Sequence, residues 1–193
     1  MKRLVIIDNG HGADTPGKCS PDGRHREFRW CRDAAQRLAE SLRSIDLDSK
    51  LLVPEENDIP LRERCRRAAA LSSSRDAILI SIHNNASGRD GAWHTASGWS
   101  VFVSPNASAA SRRLASVLHR HAAAAGLSGN RRTPICGYWT ANLAICRDTP
   151  CPAVLTENMF QDNAADLAFL TSEHGTATLV GVHFTAIKEY FGL

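Results

Sequence analysis

The chain has no C-x-x-C pair, although its 193 residues include six cysteines, Cys19, Cys31, Cys65, Cys136, Cys146 and Cys151. Their scattered spacing suits neither a disulfide framework nor a closed structural metal site, and free thiols in a reducing compartment are expected. Cys31 falls on an apolar helical face, where a thiol behaves as a small hydrophobe. No apolar run approaches the roughly 20 residues of a membrane span, which excludes membrane insertion by a helix. The apolar run at residues 4–7 is too short for an export signal and leads straight into a polar motif. Excess charge is also scarce. Lys and Arg total 23 against 20 Asp and Glu, and the resulting +3 is too small to argue for nucleic acid. It favours an anionic polymer slightly over a cationic partner. Repeats, low-complexity tracts and linkers are missing, so residues 1–193 read as one domain with one core.

What the chain does have is alternation. Leu4–Asp8 reads as a buried strand. From Glu27 to Ser44 the apolar residues Phe28, Cys31, Ala35, Leu38 and Leu42 recur at helical spacing. Lys50–Val53 reads as a short strand. The helix that follows in "NDIPLRERCRRAAAL" is expected to take Asn57 or Asp58 as its cap, with Pro60 in its first turn. Ala77–His83 is a second apolar strand, residues 87–98 form a Gly- and Ser-rich loop, and Trp99–Val103 returns to strand. A helix capped by Asn106 or Ser108 runs to about Ala125, and a second loop spans 128–141. Leu143–Cys146 and Ala153–Thr156 read as strands, followed by closing helices in "DNAADLAFL" and Ser172–Tyr190. Strands alternating with helices predict an α/β fold with a largely parallel sheet covered on both faces.

In such sheets, sites form outside the carboxyl ends of the strands. His11 lies just past the first strand, in a Gly-His-Gly turn whose glycines are expected to let the backbone bend. His83 ends "AILISIH", Glu157 ends "PAVLTE", and Glu27 opens the helix after the first strand. Taken singly, a strand-end histidine is most often a hydrogen-bonded structural residue, and a helix-start glutamate is a favourable dipole partner. Together the four converge on one rim. Two histidines and one carboxylate form a catalytic zinc set with a position left open for water. A second carboxylate would take a proton from that water and later deliver it to a leaving amine.

"IDNGHGADTPG", Glu27, "SIHNN" and "PAVLTENMFQDN" together resemble the zinc-dependent N-acetylmuramoyl-L-alanine amidases of the amidase_3 type. "IPLRER" and "VGVHFTAIKEYF" extend the likeness over essentially the whole chain. The resemblance implies a twisted six-stranded mixed sheet flanked by helices. It also implies one zinc ion per chain, held by His11, Glu27 and His83, with Glu157 as the catalytic carboxylate. The substrate it implies is the amide between N-acetylmuramic acid and the L-alanine of the peptidoglycan stem peptide. Ala13 and Thr15 depart from the family's pattern without touching these positions. Another zinc peptidoglycan peptidase or carboxypeptidase is the alternative within enzymes, and a non-catalytic wall-binding module is the alternative outside them.

Asn84 and Asn85, next to His83, are candidates to orient the site or the substrate, with strand-end capping as the other reading. Trp93, Tyr138 and Trp139 lie on the two loops and suit sugar or peptide surfaces. Arg131 would meet a peptide carboxylate, unless it forms a solvated pair with Arg132. Arg64 is expected to tie the second helix to the rim. The partner is then peptidoglycan, with no nucleic acid, no membrane insertion and no obligate protein partner. Neither a separate wall-binding domain nor an inhibitory plug is expected. The protein would be made in the cytoplasm and act on the wall as an endolysin does, or be a trimmed exported enzyme.

Overall fold

Unbroken apolar stretches must bury both faces of a strand, and they do so here. The computed structural model describes residues 2–193. In it Arg3–Asn9 (β1), Asp76–Asn85 (β3) and Ala153–Phe160 (β6) form parallel inner strands. Ser49–Leu51 (β2) extends the sheet beyond β1, while Ser100–Val103 (β4) and Trp139–Thr140 (β5) extend it beyond β6. The order is β2-β1-β3-β6-β4-β5, with β4 antiparallel to β6 and every other pairing parallel. This is the mixed six-stranded α/β sheet expected.

Glu27–Arg43 (α1), Ala109–Ala124 (α3) and Glu173–Phe191 (α6) lie on one face. They pack Leu38, Leu42, Leu114, Leu118, Leu179 and Ile187 against Val5, Ile7, Ile80, Ile82, Val101 and Val154. Each of these side chains contributes about 1.5–3 kcal/mol by leaving water. Leu61–Ser72 (α2) and the short Ala144–Arg147 (α4) lie on the other face, over Leu4, Ile6, Leu79 and Leu155. Ala164–Leu170 (α5) joins β6 to α6. Ser108, Asn163 and Ser172 cap α3, α5 and α6 through side-chain oxygens that accept backbone N–H groups.

Four local expectations are corrected. The loop expected over 128–141 contains β5, which pairs with β4. Leu143–Cys146 is not a strand but the N-cap and body of α4, with Ile145 and Cys146 buried against the sheet. A four-residue apolar run has too little length to distinguish a strand from a buried helical turn. The N-cap of α2 is Pro60, with no side-chain cap, because Asp58 is engaged by Arg64 and Thr15 instead. β6 does not end at Glu157 but continues to Phe160 past a register shift opposite His83 and Asn85.

Candidate active site

Alternation along the strands decides which polar residues meet. Leu4 and Ile6 face α2 and α4, so Asp8 does too; the same parity carries Ser81, His83, Glu157 and Ser100 to that face. His83 is paired in register with Glu157, which is paired in turn with Ser100. The α2–α4 face is therefore apolar near the strand starts and polar at the carboxyl ends of β1, β3 and β6.

His11, Glu27 and His83 meet there, with one donor atom from each lying within 4.8 Å of the others. Glu27 Oε1 is 3.0 Å from His83 Nδ1 and 3.3 Å from His11 Nε2. The two rings meet edge to face, with centroids 4.8 Å apart. Nitrogen and carboxylate donors focused on one point fit a small borderline cation such as zinc, and three protein donors leave a position free. Burial opposes charge on Glu27, but the hydrogen bonds and charges of His11 and His83 outweigh it and hold its carboxyl below the usual range. Burial also pulls the His83 pKa down, yet Glu27 raises it on balance.

These groups are held in place from behind. The backbone N–H of Asn84 donates to Glu27 Oε1 at 3.1 Å, and Gln161 Nε2 donates to Oε2 at 3.2 Å. Asn158 Nδ2 donates to the His83 carbonyl at 3.0 Å. His11 itself takes the left-handed conformation, with φ of 60°. Its carbonyl accepts from Arg32 Nη1 at 3.2 Å and Arg64 Nη2 at 3.3 Å. The glycines flanking it are needed for close approach rather than for bending. A Cβ on Gly10 would lie 2.5 Å from the His83 ring, and one on Gly12 would lie 1.9 Å from the Asp58 nitrogen. Arg64 also donates to buried Asp8 Oδ1 at 2.7 Å, and Ser81 donates to Asp8 Oδ2 at 2.5 Å. The expected tie from the second helix to the rim is thus a buried ion pair.

Glu157 is half-buried beside this set, and its Oε2 has no hydrogen-bond partner among the described residues. Burial pushes its pKa up to about 7, against the pull of His83. A cavity of about 390 Å³ opens next to His11 and His83, walled by Ile59, Pro60, Leu61, Leu143 and Ile145.

The remaining sequence candidates separate. Asn84 is buried, with its side chain between His25 Nε2 and the Asn158 carbonyl. The Asn85 side chain accepts from its neighbour Ala86 N, as a strand-end cap does. Trp93 lies not with His11 and His83 but in a groove of about 590 Å³ with Arg24, His25, Arg29, Leu167 and Ala168. Tyr138 packs against the core of the opposite face, while Trp139, one residue on, stacks on Phe102. Arg131 forms no solvated pair with Arg132. Its guanidinium lies 4.7 Å from the Trp139 ring centroid and 4.9 Å from that of Phe160. Sequence reasoning missed Gln161, Asn158, Arg32 and His25. Of these only Gln161 and Asn158 lay inside a quoted motif.

A mixed α/β sheet with a two-histidine, one-carboxylate set at its carboxyl edge and a free carboxylate beside it is the arrangement of an α/β hydrolytic enzyme with a candidate metal site. The family follows from comparison. Residues 5–189 match the Amidase_3 model, N-acetylmuramoyl-L-alanine amidase, and the chain belongs to that family of peptidoglycan-cleaving enzymes. It is 25% identical over 202 residues to an endolysin of Bacillus phage SPP1, covering all of this chain and 68% of the relative. It is 26% identical over 193 residues to a sporulation-specific N-acetylmuramoyl-L-alanine amidase of Bacillus subtilis (strain 168), covering 98% and 68%. Among solved structures, the catalytic domain of the amidase CwlV from Bacillus (Paenibacillus) polymyxa var. colistinus superposes with a TM-score of 0.83. That match has 26% identity and covers 100% of this chain and 99% of the other.

Proposed function

We propose that the chain is a zinc-dependent amidase that cleaves the bond between N-acetylmuramic acid and the L-alanine of the stem peptide. The observation that supports this best is the focus of His11, Glu27 and His83 on one point beside the unpartnered carboxylate of Glu157. His11, Glu27 and His83 would hold one zinc ion, which when bound supplies the Lewis acidity that polarises the amide carbonyl and activates water. Glu157 accepts the proton of the attacking water on its carboxylate and returns it to the departing alanine nitrogen. Asn84 N–H and Gln161 fix the Glu27 carboxylate, and Arg32 and Arg64 fix the turn that presents His11. The names of the relatives, a phage endolysin and a sporulation amidase, support a setting on the cell wall. The single α/β unit is read as the whole of the catalytic part.

Digestion of purified peptidoglycan tests this reading. Free L-alanine amino termini are expected while the glycan chains keep their length. Metal analysis should find one zinc per chain, and a chelator should abolish product without unfolding, because the core is large enough to stand without metal. New reducing ends would indicate a glycosidase instead. New termini only within the stem would indicate a peptidase, and tight wall binding without product a binding module.

A further inference from the structure

Arg131 sits one to two strands beyond Glu157, on the side away from the histidines. Neighbouring strands are about 4.8 Å apart, so its guanidinium is roughly 5–10 Å from the reacting bond. Trp139 and Phe160 hold it between their rings, and it donates through Nη2 to Ser100 Oγ, whose residue is the cross-strand partner of Glu157. This half-buried cation has no carboxylate within ion-pair distance among the described residues, and its buried Nε has no hydrogen-bond partner. Glu157 has an unpartnered oxygen on the same face. A buried charged group costs free energy unless it is paired, and here Arg131, bonded to Ser100, and Glu157, the cross-strand partner of Ser100, each keep an unpartnered atom that a ligand would satisfy. Burial also works against the Arg131 charge, drawing its pKa down, with Glu157 opposing that trend.

We propose that Arg131 is a specificity-determining residue that binds a free carboxylate of the stem peptide, on the residue following the L-alanine, and so sets the peptide to run across β4 and β5. Three features support this. The first is reach: extended chain advances about 3.3 Å per residue, so a carboxylate on the second stem residue, about two residues or 6.6 Å along, falls within the 5–10 Å span. The second is chemistry: a planar guanidinium clamped between rings is preorganised for a planar carboxylate, and N-acetylated sugars offer no anion of that kind. The third is the division of labour at the site. Glu157 repels an anion placed directly on it, whereas Arg131 attracts one placed a residue away.

This inference rests on the amidase reading, and two synthetic muramyl peptides separate the two. They are identical except that the second residue carries a free carboxylate in one and a carboxamide in the other. The unaltered protein should cleave the carboxylate probe with a kcat/KM larger by on the order of tenfold to a hundredfold, the range for a charge-assisted hydrogen bond. In Arg131→Gln that ratio should fall close to one. Arg131→Lys, which keeps the charge but not the planar fork, should keep a reduced ratio, and it replaces Arg131→Gln if that variant melts early. A ratio that persists while both rates fall would overturn the proposal and make Arg131 a support for Glu157. So would an unaltered protein that does not discriminate. Failure to release L-alanine amino termini from either probe would bring down the amidase reading, and this proposal with it.

Discussion

The two halves of the site are built on opposite plans. On the β1–β3 side the carboxylates of Glu27 and Asp8 and the carbonyl of His11 are held. Glu27 is gripped by two histidines, a backbone amide and Gln161. The His11 carbonyl receives two arginines, and Asp8 is closed off by Arg64 and Ser81. On the β6–β5 side Glu157 and Arg131 keep unpartnered buried atoms. A group that must hold an ion at one point gains from being immobilised, because only a fixed first layer of ligands selects a geometry. A group that must receive water, a proton or an incoming peptide cannot be satisfied by the protein first. The difference predicts that damage to the held half appears in stability and metal affinity, and damage to the open half in turnover.

Glu157→Gln is the sharpest test on the open side. Removing a positioned acid or base typically costs on the order of 10² to 10⁴ in rate. Turnover should therefore fall at least about a hundredfold, while zinc content measured on the same preparation stays complete. The melting temperature should hold or rise, since a buried carboxylate with an unsatisfied oxygen is lost. Loss of zinc from this variant would make Glu157 a ligand and erase the contrast between the halves.

Arg64→Met makes the matching cut on the held side. Arg64 and Asp8 are 2% and 1% exposed, so the variant leaves a carboxylate buried without its cation. Breaking such a pair from one side costs about 3–5 kcal/mol. Urea unfolding should show a loss of that size with an unchanged slope. A loss below about 1 kcal/mol would mean that Ser81 and solvent satisfy Asp8 unaided, within the range of an ordinary surface substitution.

How much of this was legible in the sequence divides along the same line. The buried strands of β1 and β3 and the carriers His11, Glu27, His83 and Glu157 were visible because apolar runs end where chemistry begins. That the sheet is mixed and six-stranded came from resemblance, not from periodicity, and the order of its strands came from neither. The bracing residues were hidden by distance along the chain: Gln161 reaches Glu27 across 134 positions, and Asn158 reaches His83 across 75. No local pattern encodes such pairs. Tyr138 and Trp139 show a finer limit. Both looked like loop aromatics, but at β5 successive side chains turn to opposite faces, so Tyr138 joins the large core and Trp139 stacks on Phe102 on the other face. The α4 turn was misread because four apolar residues carry no period.

Gln161 offers the smallest of the expected effects and the most direct view of what holding a ligand is worth. It lies two residues after the left-handed Met159, φ 63°, and its own N–H donates to the Asn85 carbonyl at 2.8 Å, which anchors its backbone beside the site. It is 2% exposed, and its Oε1 has no partner, which leaves the donation from Nε2 to Glu27 Oε2 as the side chain's hydrogen bond among the described residues. Substituting a group that orients a ligand from behind typically costs on the order of 10- to 100-fold in metal affinity. Gln161→Ala should weaken zinc binding by that factor in competition with a chromophoric chelator, because Glu27 keeps its Asn84 N–H but loses the restraint on its second oxygen. At saturating zinc, turnover should recover most of the way, which a change in the proton-transfer group would not allow. If affinity is unchanged, Gln161 only fills space, and the held half owes its order to the histidines and Asn84 alone. If turnover stays low at saturating zinc, the orientation of Glu27 governs chemistry as well as binding, and the two halves are less separate than their hydrogen bonding implies.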